Sequence, residues 1–515
     1  MRLAHTVAAV RAAEQALMRT VPEGALMQRA AAGLAAACAS LLDRVYGAHV
    51  VVLAGSGDNG GDALYAGARL AARGARVTAI AVGSRLHTAA AAELLTRGGS
   101  VVPVTSDAGG PEGDDPSRST EQARYAIATA DVIIDGLTGI GGHGGLREPA
   151  ATLARVTELA RLDGALVVAV DLPSGIDADS GSVTGTAIRA DVTVTFGTLK
   201  PGLLIDPGAD RAGPTELIDI GLGPYLPEPA VISLQAADVA AMLPHPSAES
   251  DKYRRGVLGL VAGSEQYTGA AVLSAGGAIK SGAGMVRLVS AAPAIAVVRQ
   301  HWPEAVVTTY DPGRPGEAIE AAGRVQAWAI GPGIGTGDTA HELLATVLDT
   351  DVPVLIDADG LTVLTAHREL LPRRGPTLIT PHAGELARLL KADRDDIEAQ
   401  RLHYATAAAA ELGITVLLKG STTVIAEPDG SLPVWVNSTG TNWLATAGSG
   451  DVLSGLIGSL LAQGLNPPEA AAAAAYLHGI AGRLAADDAP IGASDIVTAI
   501  PAAIRASTGG GDSTR

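Results

Sequence analysis

Phenylalanine and cysteine each occur once among the 515 residues, and aromatics make up only 3% of the chain. That scarcity removes the stacking platforms on which proteins hold single-stranded nucleic acid. Positive charge is short as well. The 37 Lys and Arg against 54 Asp and Glu leave a net charge of -17, the wrong sign for non-specific attraction to a phosphate backbone. No nucleic-acid partner is expected. Any phosphate bound here must be held by local devices: backbone amides, helix N-termini and single lysines. The lone cysteine, Cys38, excludes an internal disulfide and a thiolate metal cage, and its Ala-rich helical surroundings predict a small core residue. No run of about eighteen apolar residues is free of charges and turn-formers, so no membrane span is expected. Glu14 and Gln15 interrupt what would otherwise be a signal-peptide core. A cytoplasmic homo-oligomer acting on small molecules is the expectation.

What is abundant is apolar aliphatic residue: 47% of the chain is hydrophobic and 64 residues are glycine. This length calls for two or three domains. Two helices are predicted first, Thr6–Arg19 and Ala25–Tyr46. Apolar strands follow at His49–Ala54, Ala75–Val82, Val132–Leu137, Ala165–Val170, Val192–Phe196 and Glu216–Ile220, with helix-length segments between most of them. Such alternation predicts a mostly parallel sheet covered on both faces. Gly221–Ala230 holds three prolines and two glycines, which break both periodicities and place a boundary. A second α/β series starts at Gly256–Ala262. It continues with strands at Val286–Ser290, Val325–Ile330, Val354–Asp357, Thr377–Thr380 and Ile414–Leu418, and antiparallel additions at Thr422–Ala426 and Val434–Val436. Helices near Val452–Gln463 and Pro468–Ala486 close it. The divisions are residues 1–223, a linker 224–232, residues 233–505 and a disordered tail 506–515.

In the first half, Gly55–Asp62 (GSGDNGGD) sits between a strand and a helix. Its glycines let backbone approach a ligand, and its helix-start amides can face an anion. Glycine turns of this kind also occur for packing alone, but Asp58, Asn59 and Asp62 add polar groups that packing does not need. Three further polar segments fall at strand C-terminal ends, where open α/β sheets bind ligands: Asp135–Gly145, Asp171–Asp177 and Phe196–Gly202. Taken singly, Asp171 reads equally as an Asx-turn and Lys200 as a solvated charge.

In the second half, Asn442–Gly455 (NWLATAGSGDVLSG) places Gly448–Gly450 ahead of a helix beginning near Asp451. The helix amides form an anion hole with a carboxylate in the same space. Helix capping alone is worth about 1 kcal/mol and does not call for two glycines. His382, beside Pro381, reads by itself as an ordinary turn histidine.

The GSGDNGGD turn, the DGLTGIG loop, DLPSGIDAD and TFGTLKPG, in this order, resemble the NAD(P)HX epimerase family. Ser281–Gly284, Gly331–Gly335 (GPGIG), Asp357–Leu361 (DADGL), Thr380–Glu385 (TPHAGE), Lys419–Thr423 (KGSTT) and the GSGD helix start resemble the ADP-dependent NAD(P)HX dehydratases. Together the chain is similar to the bifunctional NAD(P)H-hydrate repair enzymes. That resemblance implies two three-layer α/β/α domains, a Rossmann-like epimerase and a ribokinase-like dehydratase. By matched motif, Asn59, Asp135 and Ser174 would coordinate potassium. Asp58, Asn59, Gly60, Gly61 and Asp62, with Gly139, Ile140, Gly141, Gly142, His143, Gly144 and Gly145, would hold the hydrate's phosphates and ribose. Asp171 would lie against the damaged ring as acid–base for loss and return of its oxygen. Ser56 and Asp58 stand where the family commonly carries Asn, and His143 where some members carry Lys.

For the dehydratase, the resemblance implies ADP bound by Lys419, Gly420, Ser421, Thr422, Thr423 and Gly450. The hydrate, NADHX or NADPHX, would be lined by Ala270, Gly333, His382 and Asp451, and Glu385 would orient His382 or help hold Mg²⁺ through water. Asp451 would take the hydroxyl proton as the oxygen attacks the β-phosphate. Elimination would then restore NAD(P)H and release AMP and phosphate. The GSGD start alone also fits a small-molecule kinase with a regulatory N-terminal domain, and epimerase-like domains also suit a non-enzymatic nucleotide-sensing scaffold. DADGL, TPHAGE and the acidic residues in both halves favour the repair enzyme.

Overall fold

The structure is a computed structural model that describes the chain except residues 84, 105–115, 248, 250, 372, 431–432 and 510–515. It divides into two compact units, Leu3–Ala230 and Met1–Arg2 with Val231–Arg515.

Among the described residues, the first unit contains seven parallel strands: β1 His49–Ala54, β2 Arg76–Val82, β3 Ser100–Val104, β4 Val132–Gly136, β5 Leu166–Val170, β6 Val192–Phe196 and β7 Thr215–Ile218. They lie in the order β3-β2-β1-β4-β5-β6-β7, the doubly wound Rossmann arrangement. Period-2 alternation explains how both faces are covered. Val50, Val52 and Ala54 enter a core with helices Val7–Met18, Ala25–Ser40 and Asp58–Ala71. Val51 and Leu53 enter a second core with helices Pro116–Ala128 and Ala150–Leu162. Cys38 is a fully buried member of the first core, and burial pushes its thiol up to about 12.

The second unit adds β8 Val231–Ser233, β9 Val257–Val261, β10 Met285–Ser290, β11 Val306–Thr309, β12 Ala327–Ile330, β13 Val354–Ile356, β14 Thr377–Ile379, β15 Thr415–Leu418, β16 Thr423–Ala426 and β17 Val434–Asn437. Their order is β8-β17-β16-β15-β14-β13-β12-β9-β10-β11. The β9–β15 pairings are parallel, and β16 is antiparallel to both β15 and β17. Leu258, Leu260, Ala327, Ala329 and Leu355 face helices Thr268–Lys280, Ser449–Ala462 and Pro467–Ala486. Val257, Val261, Trp328, Ile330 and Ile356 are equally buried on the opposite face. This is a three-layer α/β/α arrangement.

Several expectations need correcting. Helix Ala25–Ser40 stops short of Tyr46, because Leu42 and Val45 pack onto the same core from an irregular segment. Strands β3 and β11, absent from the sequence reading, are sheet edges. Edge strands are short, half-exposed and tolerant of a proline such as Pro103, so their pattern is faint. The linker's residues 231–232 already belong to β8. A further helix, Ala493–Ser507, follows the two expected to close the chain and takes residues 506–507 from the tail. Tail residues 510–515 lie outside the described residues.

Candidate active sites

In the first unit the order of strands reverses between β1 and β4, and the polar segments emerge there. The chain leaves β1 at Gly55, where a Cβ would stand 1.9 Å from the carbonyl oxygen of Leu137. Only glycine permits that approach. Helix Asp58–Ala71 then starts with Asp58 in its first turn, where a carboxylate suits the helix dipole. Asn59 donates through Nδ2 to the carbonyl of Val170 at 2.5 Å and to that of Thr138 at 3.4 Å. Its Oδ1 is 2.5 Å from where a Gly139 Cβ would lie, so the first turn and the Gly139 loop touch.

Asp135 lies fully buried one residue before the end of β4. Its oxygens accept from the Ser174 amide at 2.8 Å, the Ser174 hydroxyl at 2.7 Å and the Leu137 amide at 3.3 Å. Burial nevertheless raises its carboxyl to about 6, against the pull of those Ser174 and Leu137 donors. The Ser174 hydroxyl also accepts from the Thr138 amide at 2.9 Å. Asn59 and Ser174 thus meet at Thr138, and Ser174 carries the contact on to Asp135.

Asp171 follows β5 with φ +66°, a conformation disfavoured for a residue with a Cβ. Its Oδ1 accepts from the Thr195 hydroxyl at 2.9 Å, the Phe196 amide at 3.0 Å and the Lys200 ammonium. The solvated reading of Lys200 is overturned. Its side chain is wholly buried and also donates to Thr195 Oγ1 at 3.0 Å and the Phe196 carbonyl at 3.2 Å. An ammonium withdrawn from water requires such a complete shell.

Two residues join this centre from outside the motifs. The Glu14 carboxyl is raised by burial and by the charges of Asp171 and Asp58, partly offset by Lys200 and Arg11. Arg11 reaches over the glycine loop, its Nη2 lying 2.5 Å from a Gly141 Cβ position. Asp62 is raised well above the ordinary carboxylate range by burial and then by Asp171, Asp58 and Glu14. Its Oδ1 finds no partner among the described residues. Helical spacing of Arg11 and Glu14 was the available signal, but it reads equally as a solvated face. His143 points outward, with 79% of its side chain exposed, and meets Asp177 at 3.3 Å.

In the second unit, helix Ser449–Ala462 starts after Gly448, whose φ of +86° suits glycine. The helix therefore begins two residues before the expected Asp451. Burial and the negative charge of Asp357 raise the Asp451 carboxyl to about 7, although Lys419 draws it down. Lys419 Nζ lies 2.7 Å from Asp357 Oδ1, 3.9 Å from Glu385 Oε2 and 3.5 Å from the Gly450 Cβ position. Asp357 Oδ2 accepts from Ser454 Oγ at 2.5 Å. Burial works against the Lys419 charge, yet Asp357 and Glu385 outweigh it and raise the ammonium.

The loop from Lys419 to Thr422 turns the antiparallel hairpin β15–β16, which carries Lys419 to the start of helix Ser449–Ala462. Arg401 braces the loop, donating to the Lys419 carbonyl at 3.4 Å. His382 caps helix Ala383–Leu390: Nδ1 accepts from the Gly384 and Glu385 amides at 3.0 and 3.3 Å, while Glu385 accepts from the His382 amide at 2.7 Å. Burial and nearby Lys419 lower its imidazole, which agrees with an accepting, neutral ring. Gly333 lies against Ala270, 2.8 Å separating Ala270 Cβ from a Gly333 Cβ position. Asp357, the first residue of the DADGL segment, bridges Lys419 and Ser454.

Residues 258–502 match the family model for NAD(P)H-hydrate dehydratase, and residues 23–202 match that for the YjeF-related protein N-terminus. The bifunctional NAD(P)H-hydrate repair enzyme Nnr of Mycobacterium leprae is 45% identical over 98% of this chain and 100% of its own length. The chain belongs to this family. The Nnr enzyme of Moorella thermoacetica is 36% identical over 85% of this chain and 83% of its own length. Among solved structures, an ADP/ATP-dependent NAD(P)H-hydrate dehydratase from Bacillus subtilis, co-crystallized with ATP and Mg²⁺, is 33% identical. It covers 53% of this chain and 97% of its own, with a TM-score of 0.48. An epimerase domain and a dehydratase domain share this chain. Among the described residues no helix is long and apolar enough to cross a membrane.

Proposed function

We propose that the chain restores hydrated nicotinamide cofactors, interconverting the R and S hydrates in the first unit and dehydrating the S form with ADP in the second. The observation that carries the second activity is the convergence of Asp451, Asp357 and Lys419 on the start of helix Ser449–Ala462. Hydroxide is a poor leaving group, whereas phosphate leaves readily. Asp451 takes the proton of the ring hydroxyl, whose oxygen forms a bond to the β-phosphorus as the bond to the α-phosphate oxygen breaks and AMP departs. The helix amides and Lys419 stabilise charge on the transferring group. Phosphate then leaves with the carbon–oxygen pair, pushed by the ring nitrogen, and loss of a ring proton restores NAD(P)H. Gly420, Ser421, Thr422, Thr423 and Gly450 cradle the nucleotide in this reading, and Ala270, Gly333 and His382 line the hydrate.

Asp357, Glu385 and Asp451 set three carboxylates around the one ammonium of Lys419. That excess of negative charge fits Mg²⁺ entering with the nucleotide, which when bound neutralises phosphate oxygens. In the first unit, the fully buried Asp135 forms no ion pair with a side chain among the described residues, and Asn59, Ser174 and the carbonyl of Thr138 add neighbouring oxygens. This all-oxygen set suits K⁺, which when bound supplies the missing countercharge. Asp171, paired with Lys200, exchanges the proton that lets the ring oxygen leave and return.

Purified full-length protein given NADHX, ADP and Mg²⁺ should recover the reduced-nicotinamide absorbance, with heavy-oxygen label from the hydrate appearing in phosphate. A folded, nucleotide-binding protein that gives no recovery defeats the proposal. Label found only in water defeats the phosphorylated intermediate.

A further inference from the structure

His341, His367 and Glu369 take no part in either centre, yet each offers a ligand atom and these atoms all lie within 4.8 Å of one another. His341 is on helix Asp338–Leu348, His367 ends helix Asp359–Ala366, and Glu369 lies in the 3₁₀ turn Arg368–Leu370. The two imidazole rings sit 4.2 Å apart between centroids, tilted by 46°. His367 Nδ1 is already 3.0 Å from Glu369 Oε1.

We propose that these three side chains form a binding site for one transition-metal ion of the Zn²⁺ class, with water completing its shell. Ligands about 2.1 Å from a tetrahedral ion stand roughly 3.4 Å from each other. Small side-chain rotations close the present spacing to that value, and the histidines are only partly buried, so such rotations are open to them. Two imidazoles and a carboxylate select Zn²⁺, Co²⁺ or Ni²⁺ over Mg²⁺ and Ca²⁺, which prefer oxygen. The site is therefore chemically distinct from the carboxylate-rich centre that suits the Mg²⁺ of the nucleotide. The cation nearest in sequence does not compete. Arg368 is turned away, donating to the Leu389 carbonyl at 2.9 Å and to Glu411 at 3.0 Å.

Placement suggests what the ion would do. It would tie the first turns of helix Asp338–Leu348 to the end of helix Asp359–Ala366, an element about 12 Å long at 1.5 Å per residue. The other end of that helix carries Asp359, whose Oδ2 accepts from the Gly335 amide at 2.9 Å. Asp359 also contributes to the raised carboxyl of Asp451. The metal would thus clamp the segment that bears DADGL without touching substrate.

The test uses untagged full-length protein stripped with chelator, titrated with Zn²⁺ by calorimetry and with Co²⁺ by visible absorption. One equivalent should bind, Co²⁺ should give the intense bands of a low-coordinate nitrogen-ligated ion, and Zn²⁺ should raise the Tm. The H341Q/H367Q variant should weaken Zn²⁺ binding by at least roughly 10-fold and abolish the Co²⁺ bands, with its metal-free Tm and repair rate unchanged. If that variant fails to fold, Glu369→Gln, at an exposed position, serves the same comparison. Absence of stoichiometric binding to the unaltered protein overturns the proposal, as does identical binding by the variants.

Discussion

Lys200 is wholly buried and donates to Oδ1 of Asp171, 29 residues away in sequence, so each charge depends on the other being present. Glu14, Asp58 and Asp62 crowd the same space with negative charge. Replacing Lys200 by Met would leave Asp171 buried beside them without its cation. Unpairing a buried ion costs about 3–5 kcal/mol. We expect Lys200→Met to lower the unfolding midpoint of the first unit and cut epimerase turnover by at least roughly 100-fold. Dehydration of the S hydrate should persist. Chemical denaturation followed alongside the two separate activities checks this, and an unchanged epimerase would refute the assignment.

Asp451→Asn should slow dehydration by roughly 100- to 10,000-fold, the usual contribution of a general base, while epimerisation continues. In the unaltered enzyme the base works deprotonated. With its carboxyl raised to about 7, kcat/KM should fall as pH drops below that value, and the variant's residual rate should lose that inflection. Full repair by the variant would remove the proposed mechanism.

The same carboxyl predicts a stability effect with a definite sign. Its folded value of about 7 exceeds the ordinary 3.8, so between those values the folded state holds a proton that the unfolded chain releases. Stability from this group is therefore present at low pH and lost as pH rises toward 7. Asparagine mimics the protonated form. Above neutral pH, Asp451→Asn should stabilise the second unit by on the order of 1–2 kcal/mol, allowing for the group's partial exposure. Equal Tm values for the two proteins at pH 8 would contradict this.

The epimerase should run faster in KCl than in tetramethylammonium chloride of equal ionic strength. Asp135→Asn should remove the difference, because it deletes the buried carboxylate that accepts from Ser174. In K⁺-free protein the Asp135 carboxyl, raised to about 6, takes up a proton as pH falls below that value. The apparent K⁺ affinity should weaken in parallel. Potassium-independent rates would exclude the site.

Gly331 has φ +132°, and a Cβ there would stand 1.8 Å from the Asp357 carbonyl oxygen. Gly331→Ala should displace the DADGL segment, costing about 3 kcal/mol or more and weakening nucleotide binding. Urea unfolding and a nucleotide titration check both parts.

Much of this was legible in one dimension because the responsible patterns are contiguous. Strands such as His49–Ala54 and Val192–Phe196 declare themselves by unbroken apolar runs. The glycines ahead of Asp451 mark a helix start, since an amide cradle is built from neighbouring residues. The edge strands Ser100–Val104 and Val306–Thr309 were faint, because half their surface faces solvent and tolerates polar residues and proline.

What the chain order alone determined was therefore the succession of strands, turns and acidic loop residues, together with the family that their motifs resemble. Only the folded arrangement decided which charges neutralise which. Lys200 reads as solvated until β6 is set beside β5, and Asp357 has no evident partner until the β15–β16 hairpin brings Lys419 to it, 62 residues on. Arg11, Glu14 and the His341–His367–Glu369 cluster were hidden for the same reason. Backbone periodicity is a local property, whereas the countercharge of a buried group is set by the packing of segments distant in sequence.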